Sequence, residues 1–146
     1  MQNERIGKPL LWLAMLPVAF AAQAGATGQT RADRLTPDGV SAAFLACKTQ
    51  ARGAVEQAAC IAQERTAQDK RLNRVYRQLL AALDAHGKAK LLEAERAWLQ
   101  SADKDGNLEA ALYGETQVEN LEADEAALFR LCARADQLEH YLRLVD

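Results

Sequence analysis

The chain has 146 residues, of which 49% are hydrophobic, 26% charged and 5% aromatic, with a formal net charge of −2. That length suits one domain, and the hydrophobic share is ordinary for a folded globular chain. The mild acidity argues against nucleic acid, whose binding rests on basic patches that release phosphate counterions.

Arg5 and Lys8 form a short basic start, and Pro9 to Ala22 (PLLWLAMLPVAFAA) is an apolar run too short to span a bilayer comfortably. Ala22-Gln23-Ala24 supplies small residues for cleavage. Residues 1–24 are therefore expected to be a signal peptide cut before Gly25, with a cut after Ala26 as the near alternative. An uncleaved anchor is the competing reading; Pro17 and the small-residue exit weigh against it. No cysteine follows the run directly, which argues against a lipoprotein anchor. Cleavage would remove Arg5, Lys8 and Glu4 and take the net charge from −2 to −3. The expected location is periplasmic or secreted, without membrane attachment after cleavage, where cysteines are candidates for disulfides.

Residues 25–35 are mostly small or polar without apolar periodicity and are expected to form a mobile leader. Thr36-Pro37-Asp38-Gly39 reads as a turn or helix start, with Thr36 as N-cap and Pro37 in the first helical position. A short helix is expected from about Asp38 to Ala51. Gly53 interrupts it before a second stretch with Val55, Ala59 and Ile61, which makes a short hairpin.

Thr66 and Asp69, three apart, resemble a capping-box start. Beyond them Leu72, Val75, Tyr76, Leu79, Leu80 and Leu83 recur at spacings of three and four, one apolar stripe on a helix. Gly87 is the expected C-terminal cap. Leu91, Leu92, Ala94, Ala97, Trp98 and Leu99 make the next stripe, and Asp103 to Asn107 (DKDGN) is expected to break or bend that helix. After Tyr113-Gly114-Glu115-Thr116, a last long helix is expected from about Gln117 to Leu144, with Leu121, Leu128, Leu131, Leu138, Tyr141 and Leu142 on its stripe. Low aromatic content and abundant alanine favour helix over sheet. The expected fold is all-α: residues 36–146 form a small antiparallel bundle with three main helices and a short N-terminal hairpin.

Catalytic signatures are missing: there is no GxSxG, no glycine-rich phosphate loop and no HExxH. His86 and His140 sit near helix ends, far apart in sequence, and read as solvated surface residues; Asp136 stands four before His140, the spacing of a helix-surface pair. Glu95 and Asp103 would lie about 12 Å apart on one helix, long for a glycosidase carboxylate pair. No enzyme, metal or cofactor is expected.

There are three cysteines, Cys47, Cys60 and Cys132, so at most one bridge forms within the chain. On one straight helix Cys47 and Cys60 would be about 20 Å apart, so a bridge between them needs the chain to fold back, with Gly53 near the midpoint. Cys60–Cys132 is the rival pairing. The remaining thiol is free or pairs between chains, and Cys132 is the expected route to an oligomer.

Cys47, Glu56 and Cys60, then Asp69-Lys-Arg-Leu72-Asn73-Arg-Val-Tyr76, then Glu95-Arg96-Ala97-Trp98-Leu99, then Tyr113-Gly114-Glu115-Thr116, stand in a telling order. Over roughly Ala46 to Leu142 the chain resembles the lysozyme-inhibitor LprI-like N-terminal domain family, small exported bacterial proteins with a helical domain. The family usually follows its Trp-Leu block with Tyr-Arg-Asp-x-x-Cys. Here Ser101 and Ala102 replace Tyr and Arg, Asp103 remains, and Gly106 stands in place of Cys. A later family cysteine, near Ala126, is absent too. The resemblance thus implies that those two positions normally pair, that Cys47–Cys60 is the retained bridge, that Cys132 is an extra, and that the segment around Asp103 is looser.

The resemblance further implies an exported binding protein, with lysozyme inhibition as the activity. The altered Ser101 and Ala102 put in question any inhibitory surface built there. Asp69 is expected to cap its helix, Asn73 and Tyr76 to make a polar contact inside the bundle with the turn around Gly114 or with Glu95, and Trp98 to pack in the core. Lys88 and Lys104 are candidates to enter an enzyme's acidic cleft from loops. Glu115, Glu119, Glu122 and Asp124 either steer towards a basic enzyme or complement a helix start. The alternative function is an envelope structural or assembly partner without inhibitory activity.

Overall fold

The computed structural model describes residues 36–114 and 116–145. The expected signal peptide and leader lie outside them. Four helices follow in order: α1 (Ala42–Gln50), α2 (Ala54–Ala82), α3 (Ala85–Tyr113) and α4 (Gln117–Val145). Among the described residues there is no strand, and the protein is an all-α bundle. Three helices of 29 residues dominate it, and the expected N-terminal hairpin is present as α1 with the first turns of α2. No described helix is long and apolar enough to cross a membrane.

The helix ends follow side-chain chemistry, in places not where the sequence pointed. α1 starts after Ser41, whose hydroxyl accepts the Phe44 N–H at 3.0 Å. Of the two readings of Thr36 to Gly39, the turn is the one present, with Val40 N–H meeting the Pro37 carbonyl, and the helix starts later than the expected Asp38. Thr66 and Asp69 do not begin a helix. α2 contains neither glycine nor proline, so it runs straight through them, and the Thr66 hydroxyl is satisfied by the Ala62 carbonyl one turn back. Gly87 caps no C-terminus. It lies in the first turn of α3, where Asp84 as N-cap accepts its N–H at 2.7 Å. α3 also passes unbroken through Asp103 to Asn107; one interior glycine, Gly106, costs a helix only about 1 kcal/mol.

Gly53 separates α1 from α2 in an extended conformation (φ −160°) open to any residue, so the reversal there does not need glycine. Gly114 is different. At φ 76° and ψ −161° it occupies a region that residues with a Cβ rarely enter, and it turns α3 into α4.

Tight turns make α3 antiparallel to both α2 and α4, and α2 parallel to α4. The main packing is α2 on α4, with α3 also laid on α4 and α1 on α2. One apolar cluster joins Phe44, Cys60, Ile61, Leu128 and Cys132. A second joins Val75, Leu79, Leu91 and Leu138 near the α2–α3 turn. Each fully buried leucine or valine contributes about 1.5–3 kcal/mol. α3 gives this core a single buried residue, Leu91.

Candidate functional site

Since α3 buries so little, other contacts hold it. Arg130 and Arg134, one turn apart on α4, face carboxylates on α3. Arg134 donates from Nη2 at 2.8 Å and from Nε at 3.2 Å to Glu95 Oε1, and its guanidinium lies 5.8 Å from the Trp98 ring centroid. Arg130 grips both carboxylate oxygens of Glu109, Nη2 at 2.9 Å from Oε2. The Arg134 side chain is only 7% exposed, so this pair is largely desolvated.

A second polar system clasps residues 39–41 onto α2 and α4. Buried Glu64 accepts the Ser41 N–H at 2.9 Å and the Ser41 hydroxyl at 2.6 Å, and Gln68 Nε2 at 2.7 Å. Burial pushes the Glu64 carboxyl up, but the bonds from Ser41 and Gln68 and the charge of Arg71 outweigh it, so the net shift is downward. Gln68 also donates to the Gly39 carbonyl, and Asp136 accepts the Gly39 N–H. Arg71 bridges α2 to α4 through Glu139 and Asp136, with Nη2 at 2.5 and 2.7 Å. The bond to Glu139 holds the guanidinium charged against its burial, and Arg71 in turn pulls the Glu139 carboxyl below its ordinary range. Asp136 is thus spent on Arg71 and Gly39, not on the His140 pairing that its spacing suggested.

Cys47 and Cys60 form the disulfide, with Cα atoms 5.8 Å apart, and it ties α1 to α2. Cys132 is free and fully buried; burial, then the Glu64 and Asp136 charges, push its thiol up to about 12. A thiol with no exposed surface cannot meet a second chain, so the expected covalent oligomer through Cys132 is corrected by its place in the core.

The other residues picked from sequence are scattered. Glu56 lies in the first turn of α2 and accepts the Arg52 N–H at 2.5 Å, the role expected of Asp69. Asp69 is exposed in mid-helix. Asn73 is exposed too, and donates to the Asp69 carbonyl at 2.8 Å. It reaches neither the Gly114 turn nor Glu95, because its side chain points away from α4 and Glu95 is committed to Arg134. Leu72 and Tyr76 pack on the second apolar cluster. Trp98 is half-buried beneath Arg134, while Arg96 and Asp103 are exposed on α3.

Lys88 and Lys104 are exposed, but both belong to α3 and neither sits on a loop. Sixteen positions apart on a helix, they point in directions about 160° apart, so they cannot enter one cleft together. Glu119 serves its own helix start: it accepts the Thr116 N–H at 2.9 Å while Thr116 Oγ1 accepts the Glu119 N–H. These bonds hold its carboxyl below the usual range. Of the acidic run, Glu115 lies outside the described residues, Glu122 is exposed in a groove with Val118, and Asp124 is exposed in a separate groove beside Ala123 and Ala127.

Among the described residues no group of three or more His, Cys, Asp or Glu is placed to hold a metal. The surface offers shape and charge for docking. α2 and α3 stand apart towards the α3–α4 turn, leaving a cleft lined by Arg65 of α2, Gly106 and Ala110 of α3, and Ala123 and Ala127 of α4.

The family described as lysozyme inhibitor LprI matches residues 47–138, which run from the disulfide of α1 to the last fully buried leucine of α4. The chain belongs to the LprI lysozyme-inhibitor family. No curated protein and no solved structure matches it. In this LprI-family chain the two arginine systems went unseen in the sequence, because the carboxylate partners of Arg71, Arg130 and Arg134 lie 21 to 68 positions away. The one local sign was the four-residue spacing of Arg130 and Arg134.

Proposed function

We propose that the protein is an exported inhibitor of lysozyme-type muramidases, a binding protein and not an enzyme. The match to the lysozyme inhibitor LprI family over residues 47–138 carries this reading. Muramidases cleave between two carboxylates in an open cleft, and a rigid protein that docks across such a cleft stops turnover without chemistry of its own. A disulfide-tied bundle supports that mode, because it loses little freedom on binding.

The end of the bundle around the α3–α4 turn is the proposed docking surface. It carries exposed Leu108, Leu112 and Val118, which are 57%, 72% and 62% exposed, with the exposed acid Glu122 in one groove with Val118 and the exposed acid Asp124 in the cleft that Ala110 lines. Apolar contacts rimmed by acidic groups suit a basic muramidase, with the charges raising the association rate. Neither Ser101 nor Ala102 belongs to this group, so the departure from the family pattern leaves it intact.

The test is lysis of a peptidoglycan suspension by several muramidases in the presence of the chain from Gly25 onward. The expected result is a stoichiometric fall in rate for at least one enzyme, weakened at least tenfold by Leu112→Glu. Unchanged lysis by all of them at about hundredfold excess overturns the reading.

A further inference from the structure

α3 carries a second exposed strip, separate from the proposed docking end. At 100° per residue, Lys88, Leu92, Leu99 and Asp103 fall within about 60° of one another on its surface. Leu92 is 41% exposed and Leu99 58%. Lys88 and Asp103 are exposed, and neither is in an ion pair among the described residues.

The order of these four side chains is a palindrome in position and a complement in charge. Lys88 stands four residues before Leu92, and Asp103 four residues after Leu99. We propose that this strip is the isologous interface of a homodimer in which two α3 helices pair antiparallel. With their midpoints aligned, Leu92 of one copy meets Leu99 of the other, and Lys88 meets Asp103. Two-fold symmetry repeats both contacts. A parallel pair would set Lys88 against Lys88 and Asp103 against Asp103, so the charges select one direction.

This complementarity points to a second copy of the chain as the occupant. All four residues of the strip are exposed, so the incoming helix covers a side that the chain's own helices leave open. From Lys88 to Asp103 the contact is about 23 Å long. Four leucines and two ion pairs make a small interface, and Arg96 near the two-fold axis brings two like charges close. The association is therefore weak, on the order of 10–100 µM.

The test is sedimentation velocity on the chain from Gly25 to Asp146, from about 5 to about 500 µM at low salt, with circular dichroism of each variant as the check on folding. The expected result is a mass rising from monomer to dimer across that range. Leu99→Glu stays monomeric, Lys88→Glu weakens association at least tenfold, and Lys88→Glu with Asp103→Lys returns it to within about threefold of the parent. A parent chain monomeric throughout, a Leu99→Glu chain that dimerises equally well, or a charge swap that fails to restore pairing overturns the proposal. The outcome is independent of whether any muramidase is inhibited.

Discussion

Arg134 of α4 and Glu95 of α3 form the most deeply buried ion pair among the described residues, with side chains 7% and 14% exposed and Nη2 2.8 Å from Oε1. They join two helices that share little apolar core. Removing one partner strands the other in a place water barely reaches. Arg134→Met is therefore expected to cost about 2–4 kcal/mol in urea unfolding, and Arg134→Met with Glu95→Leu to recover most of it. Equal losses in the single and double variants would count against the pair as the fastening of α3.

Glu64 and Glu139 make stability depend on acid. Both carboxyls are held below their ordinary range in the folded chain. Their contribution is complete above the unfolded value of about 4.3 and disappears as pH falls through the lower folded values. Glu64→Gln should lower stability at pH 7 by about 1–3 kcal/mol, with the gap to the parent narrowing below about pH 4. Unfolding curves at pH 7 and pH 3 check this.

Gly114 and Gly53 should respond oppositely to alanine. At Gly114 the positive φ resists a side chain, and a Cβ would stand 2.9 Å from Glu119 Oε2. Gly114→Ala is expected to cost about 1–3 kcal/mol. Gly53 is extended, with nothing within 4 Å of a Cβ, and Gly53→Ala should be neutral or slightly stabilising. Thermal melts of the two variants separate these outcomes.

The stripes of α2 and α4 were legible in the sequence because burial imposes a helical period: Val75 and Leu79, Leu128 and Leu138 are where the spacing put them. The turn at Gly114 was legible as well. Local signals failed where a residue had two uses. Thr66, Asp69 and Gly87 resemble helix ends, yet Thr66 is satisfied by its own helix and Gly87 lies one turn inside the next. The clasp of Ser41, Glu64 and Gln68 and the bridge of Arg71 to Asp136 and Glu139 were invisible, since no local pattern encodes the register between α2 and α4. Asn73 misled for the same reason: a polar residue near an apolar stripe looks inward until the neighbouring helix is placed.

The disulfide and the third cysteine give a chemical signature. Closing a loop between residues 13 apart should contribute about 3 kcal/mol, lost in Cys47→Ser/Cys60→Ser. Cys132, buried and with its thiol pushed up to about 12, should not react with a thiol reagent in the native protein at pH 8. One thiol per chain should appear on unfolding. Rapid native reaction would place Cys132 at the surface and reopen a covalent dimer.

Calorimetric titration of a muramidase with the chain from Gly25 onward tests the inhibitor reading most directly. The predicted result is saturable binding with one chain per enzyme, and a midpoint that matches the loss of lytic rate. Flat titrations against basic and neutral muramidases alike, with lysis undiminished in the same mixtures, would contradict it.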